Sequence, residues 1–132
     1  MTTLMNVDWH SLPNAPASGT VLCTPPDLAS GVTVEFLFAA DKTQPVFRML
    51  AHRHNDGISA YVNQCPHHWL PMNRADGPFV KWSEHQLMCS HHSAVFDLAR
   101  SGICIMGPCQ GSNLIVVLVS TVDGQVVIAA GE

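Results

Sequence analysis

The residues able to do chemistry crowd into one stretch of the chain. Seven of the eight histidines lie between His52 and His92, together with two of the five cysteines. Two short motifs stand out there, Cys65-Pro66-His67 and Cys89-Ser90-His91-His92, separated by residues 68–88. Each pairs a soft thiolate with an imidazole where no regular strand pattern is visible. A loop tip can aim two near neighbours at one point, which a strand cannot do because its side chains alternate between faces. Two thiolates and two imidazoles admit a tetrahedral zinc site. They also admit a two-iron, two-sulfur centre with both cysteines on one iron and both histidines on the other. Chance juxtaposition of core residues is the third reading. Zinc knuckles are usually built from C-x(2–4)-C and H-x(3–5)-H pairs, and neither motif has that form. One sulfur and one nitrogen per loop suits two metals that each loop can reach. Ligand chemistry therefore favours the two-iron centre without eliminating zinc.

One domain must position these groups. The chain has 132 residues, 47% hydrophobic and 12% charged, against roughly 25% charged in an average domain. Such a balance buries a sizeable core and excludes wholesale disorder. Six Lys and Arg against ten Asp and Glu leave a net charge of −4. No basic stripe is available to track phosphates, which excludes nucleic acid as a partner. The longest aliphatic run, Leu114 to Val119, is far shorter than a membrane span. Met1 to His10 has neither a basic n-region nor an apolar h-region, so no secretory signal is expected. With an odd number of cysteines, that points to a reducing compartment, taken as the cytoplasm.

Pro13, Pro16, Pro25 and Pro26 make the first 30 residues read as irregular, with residues 1–20 as a leader segment and 21–132 as the domain. Alternation follows. Val32, Val34, Phe36 and Phe38 share one face of a strand, Val46 to Leu50 continues the pattern, and Ile58 to Val62 follows the turn Asn55-Asp56-Gly57. Two late runs, Leu114 to Val122 and Gln125 to Ala129, are joined by Asp123-Gly124, a hairpin signal. No helical periodicity competes. The expectation is an all-β domain of antiparallel strands, as packed sheets or a partly closed barrel.

Asn63 to Leu114 resembles the cluster-binding region of the Rieske iron–sulfur proteins. The likeness rests on Cys65-Pro66-His67, Cys89-Ser90-His91-His92, Val95-Phe96-Asp97 and Gly107-Pro108, with weaker similarity back to about Val21. The resemblance implies the Rieske fold, an antiparallel β-sandwich with a small inserted cluster-binding subdomain, here about residues 63–110. It implies one [2Fe–2S] cluster, with Cys65 and Cys89 on the buried iron and His67 and His92 on the outer one. Gly107 and Pro108 then belong to a Pro loop covering the cluster. His68 and His91 stand one place from the ligand positions and are read as supporting or surface imidazoles. His10, His52, His54 and His85 have no motif around them and are expected to be exposed polar residues.

The sequence departs from the family's pattern in three places. Pro71 to Glu84 adds length between the motifs and is expected to be an extra loop or hairpin around Asp76-Gly77-Pro78. Trp69 and Ser93 stand near positions where the family commonly has glycine, and a side chain there cannot freely adopt positive φ. Cys104 and Cys109 flank Met106-Gly107-Pro108. A disulfide between them is at odds with a reducing compartment, so Cys104 is read as a buried strand residue and Cys109 as a loop thiol near the cluster. Cys23 carries no signal.

Compared with the Rieske proteins of cytochrome bc complexes, Ala94 and Phe96 replace a Ser and a Tyr whose hydroxyls bond the cluster sulfurs. The resemblance therefore implies a potential near the low end of the roughly −150 to +300 mV Rieske range. No room exists for the 2-His-1-carboxylate iron domain of a terminal oxygenase. The expectation is a non-catalytic, monomeric electron carrier resembling a ferredoxin component of an oxygenase system, working with a reductase and a terminal oxygenase or similar protein. Trp69 and Leu70 are candidate rim residues for such contacts. The alternatives are a zinc-stabilised interaction module with the same four ligands and a docking subunit of a larger reductase.

Overall fold

The computed structural model describes residues 9–24, 28–54, 57–66, 70–73, 79–90 and 93–129. Among them the strands are β1 (Val21–Cys23), β2 (Thr33–Phe38), β3 (Phe47–His54), β4 (Gly57–Val62), β5 (Val80–Ser83), β6 (Gln86–Met88), β7 (Val95–Asp97), β8 (Ile103–Met106), β9 (Val116–Val117), β10 (Val119–Val122) and β11 (Gln125–Ile128). They form three sheets, ordered β2-β3-β4-β9, β1-β11-β10 and β5-β6-β7-β8. All of these ladders are antiparallel.

The first of these sheets has a core on each face. Successive side chains of a strand point to opposite sides, and β3 uses both. Phe47, Met49 and Ala51 join Ala60, Val62, Val117, Leu28 and Ile128 in one apolar cluster. Val34, Phe36 and Phe38 of β2 pack against it, on the face that the alternation predicts. Trp9, Leu12 and Ala15 also lie on this cluster. On the opposite face, Leu50 and Tyr61 join Leu87, Phe96, Leu98 and Leu114 in a second cluster, which also contains Cys65, Cys89, Cys104 and Cys109. The sheet β5-β6-β7-β8 thus covers the side of β3 and β4 that carries Leu50 and Tyr61. Tyr61 pins the two together: its hydroxyl donates to Leu98 O at 2.7 Å. A Cβ on Gly102 would sit 2.8 Å from the Tyr61 ring.

The Asp123-Gly124 hairpin forms as expected between β10 and β11, with φ of 51° and 76° at the two turn residues. Positive φ at both positions matches the right-handed twist of the flanking strands. The run Leu114 to Val122 is not one strand, however. It pairs with β4 through β9 and with β11 through β10, switching sheets at exposed Leu118. Between the motifs, the hairpin is β5–β6, turning at Glu84 and His85. Asn55, Asp56 and the segment Asp76-Gly77-Pro78 lie outside the described residues.

The histidines need correction. His10 is exposed and stacks on Trp9, but His52 is completely buried and His54 and His85 are half-buried. His52 lies on the same face of β3 as Leu50, where β5-β6-β7-β8 covers it, so alternation that normally leads to solvent leads to a second core.

Candidate metal centre

The two cysteine loops are built alike. Cys65 N–H donates to Leu70 O at 2.7 Å, and Cys89 N–H donates to Ala94 O, also at 2.7 Å. Each cysteine thus bonds the residue five places on, enclosing a four-residue tip. Both cysteines are about 1% exposed. Ser90 N–H donates to Met72 O at 2.8 Å, tying the start of the second loop to the exit of the first. His67, His68, Trp69, His91 and His92 fall within the tips and lie outside the described residues.

The first loop is held by a polar network that sequence reasoning missed. Asn63, two residues before Cys65, accepts Met72 N–H on Oδ1 at 2.8 Å. Its Nδ2 donates to Glu35 Oε2 and Asn73 Oδ1, each at 2.8 Å. Asn73 Nδ2 donates to Glu35 Oε1 at 3.0 Å. Arg48 completes the network with Nε and Nη2 on the two oxygens of Glu35, at 2.7 and 3.1 Å. Burial on its own raises the Glu35 carboxyl. The hydrogen bonds from Arg48, Asn63 and Asn73, with the Arg48 charge, outweigh it and hold the group below its ordinary value. Both stems of the loop are thereby fastened to β2 and β3. Paired asparagines bracketing a cysteine motif were the available signal.

The second loop is held by backbone shape and packing. Ser93 takes a left-handed conformation, φ 60°, and its N–H closes a turn on Cys89 O at 3.0 Å. The absence of glycine therefore does not prevent the turn. Gly107 has φ 103°, and a Cβ there would lie 2.7 Å from the Ala94 Cα. The Gly107-Pro108 loop thus rests directly on the residue that closes the second loop. Cys104 is a buried strand residue, and Cys109 Sγ lies 3.2 Å from Cys104 Sγ. Burial, followed by the contact with Cys104, pushes the Cys109 thiol up to about 12.

A second polar link joins the sheets away from the cysteines. Thr33 Oγ1 lies 2.8 Å from His52 Nδ1, and His52 Nε2 lies 2.8 Å from His85 Nδ1 at the β5–β6 turn. Lys81 Nζ donates to Gly31 O and, at 2.6 Å, to Glu84 O. Burial, then the charges of Lys81, His85 and His54, push His52 down to about 4, with Asp97 opposing.

Fold and site together define a small all-β protein with two matched cysteine loops, one following β4 and one between β6 and β7. The chain belongs to the Rieske [2Fe–2S] domain family, whose model matches residues 19–127. It accordingly carries one Rieske-type [2Fe–2S] cluster. The donor set fits: two buried thiols on loops of identical closure suit the inner iron. No curated protein matches the sequence at a significant level. Among solved structures, the chain is similar to the ferredoxin of carbazole 1,9a-dioxygenase from Nocardioides aromaticivorans IC177. That match has 20% identity and a TM-score of 0.63, over 87% of this chain and 100% of that one. It is also similar to the terminal oxygenase of the same system, with 18% identity and a TM-score of 0.66, over 87% of this chain and 30% of that one. A complex of reduced oxygenase and oxidized ferredoxin in carbazole 1,9a-dioxygenase matches with 19% identity and a TM-score of 0.62, over 83% of this chain and 90% of that one. At these identities the likeness is one of fold. Among the described residues, no helix is long and apolar enough to cross a membrane.

Proposed function

We propose that this protein is a single-electron carrier whose cluster is held by Cys65 and Cys89 on the buried iron and His67 and His92 on the outer iron. The observation that carries this reading is the matched closure of the two loops, each enclosing one cysteine–histidine motif. When bound, the cluster supplies reversible one-electron chemistry at a potential raised by imidazole ligation. The chain's own part is to hold two thiolates away from water and to keep the loop tips in register through the Ser90–Met72 bond. Residues about 63–110 form the cluster-binding subdomain, with Gly107 and Pro108 in the loop over the cluster. In this reading residues 1–20 are a leader segment to a domain of residues 21–132.

The partners in this reading are a reductase and a terminal oxygenase or similar protein, met as a monomer in the cytoplasm. Likeness to a dioxygenase ferredoxin over that protein's whole length supports it. Leu70, which closes the first loop, and Met106, beside Gly107, are exposed apolar residues flanking the site and suit a docking rim. Ala94 and Phe96, buried without hydroxyls, support a potential in the lower part of the Rieske range. Iron and acid-labile sulfide analysis, with EPR of the reduced protein, tests the ligand set. Two irons and two sulfides per chain, lost on Cys65→Ser and Cys89→Ser, are expected. A colourless protein with one zinc would replace this reading with the structural module.

A further inference from the structure

Cys104 and Cys109 are two buried thiols outside the ligand set, and the chain between them turns each toward the other. Both are free cysteines, 1% and 8% exposed, with their Sγ atoms 3.2 Å apart. Cys104 N–H donates to Ser112 O at 2.8 Å and Gly111 N–H donates to Cys104 O at 3.0 Å, closing residues 104–112 into a ring. Gly107, Pro108, Gln110 and Gly111 face solvent, so Cys109 hangs inward from an otherwise exposed loop. Gly107 and Gly111, with φ of 103° and 93°, give that loop a joint on each side of Cys109.

The two sulfurs are close to bonding distance. A disulfide holds its sulfurs at about 2.05 Å, so the pair closes by a movement of about 1 Å. In the open state both thiol hydrogens are used: Cys109 S–H donates to Cys104 Sγ, and Cys104 S–H donates to Met106 O at 3.2 Å. The dithiol is therefore a satisfied resting state. The same loop carries Gly107, which rests on Ala94, and Ala94 O accepts the Cys89 N–H that closes the second cysteine loop.

We propose that Cys104 and Cys109 are a reversible dithiol–disulfide couple, oxidised by a small-molecule disulfide, that clamps the Gly107-Pro108 loop to β8. One protein thiolate attacks a sulfur of the small disulfide and expels a small thiolate, leaving a mixed disulfide. The second protein sulfur then attacks the protein sulfur of that mixed disulfide and expels the other small thiolate. The two protons lost by the cysteines end on the two small thiols, and the two electrons lost by the pair reduce the small disulfide. In a reducing compartment the pair stays open. The consequence for the cluster rests on the reading above, in which this loop covers it: a clamped loop shields the cluster from attack.

Burial, then the contact with Cys104, push the Cys109 thiol up to about 12, so thiolate is scarce at neutral pH and exchange is slow. The test therefore reads equilibrium. Loaded protein is incubated anaerobically in glutathione buffers stepped from reduced to oxidised, quenched in acid, unfolded and alkylated. No Lys or Arg follows Arg100, so trypsin releases Ser101 to Glu132 as one peptide, whose cysteines are Cys104 and Cys109 alone. That peptide is expected to pass from two labels to none, with no glutathione attached, and to recover both labels on reduction. A peptide that keeps both labels at every ratio, or that accumulates a glutathione adduct, overturns the couple. Release of iron to EDTA reads the clamp. It is expected to be several-fold slower in oxidised than in reduced buffer for wild type, and equal in the two buffers for C104S and C109S. Equal release in wild type, or a difference that survives in C109S, overturns the clamp. A wild-type chain that takes up no iron and sulfide overturns the ligand reading, while the peptide still decides the couple.

Discussion

The two cysteine loops close with the same hydrogen bond yet are held in place by different physics. The first is fastened through side chains, with Asn63 and Asn73 bonded to Glu35 and Arg48 on β2 and β3. The second is fastened through backbone, by the left-handed Ser93 and by the approach of Gly107 to Ala94. A pseudo-symmetric site thus does not require symmetric support. The first loop tolerates changes of shape better than loss of polar partners. The second tolerates loss of polar partners better than added bulk.

The sharpest way to break the second loop is Gly107→Ala. The added Cβ meets the Ala94 backbone at 2.7 Å, where no flexible side chain can give way. Overpacking costs about 1–3 kcal/mol and a non-glycine residue in left-handed space a further 1–2 or so, giving a loss of about 4 kcal/mol. Chemical denaturation of the loaded protein measures it, and cluster release is expected to precede global unfolding. The corresponding break in the first loop is Asn63→Ala. It removes three hydrogen bonds and leaves the buried Met72 N–H without its acceptor. At about 1 kcal/mol per bond that loss is about 3 kcal/mol. Asn63→Asp, which keeps the acceptor for Met72 but places a second carboxylate beside Glu35, is expected to be no better.

Acid separates the first loop's network from the His52–His85 link between the sheets without mutation. His52 is held at about 4 in the folded protein against an ordinary 6.5 or so when unfolded. Below the unfolded value the unfolded chain binds a proton that the folded chain does not. Stability is therefore lost as pH falls from about 6.5 towards 4, by about 2 kcal/mol between pH 7 and 5. Lys81, His54 and His85 face His52 and oppose its protonation, while Asp97 favours it. Glu35 titrates below its ordinary value, so the first loop's network survives this window and fails only in stronger acid. Hydrogen exchange at pH 7 and 5 reads the difference. The Leu98 amide, bonded to His85 O, is expected to lose protection, while the Met72 amide, bonded to Asn63, keeps it.

The same contrast explains what could be read from sequence. The cysteine–histidine motifs and the Asp123-Gly124 turn are local, and their chemistry is complete within a few residues. The strands of β2 and β4 followed from alternation because one face is continuously apolar. The polar face of β3 defeated the same reasoning. Arg48 and His52 look like solvent-facing residues until Asn73 meets the one and the β5–β6 turn meets the other, and their partners Glu35, Asn73 and His85 stand 13 to 33 residues away. Alternation shows that two faces differ; only tertiary contact shows that the polar face is also buried. A weak cross-strand signal existed, since Thr33 pairs directly with His52 and Leu37 with Arg48 in the β2–β3 register.

The smallest effect sharpens the comparison most. If the second loop depends on backbone shape, relieving its strain should strengthen it. Ser93 pays the steric penalty of left-handed φ, roughly 1–2 kcal/mol for a residue with Cβ. Ser93→Gly removes that penalty but raises the conformational entropy of the unfolded chain, which offsets roughly 0.5–1 kcal/mol of the gain. A net stabilisation of about 0.5 kcal/mol is expected in denaturant titrations of the loaded protein, with the midpoint potential unchanged. Destabilisation instead would mean that the Ser93 side chain anchors the turn, and the second loop would then resemble the first in how it is held.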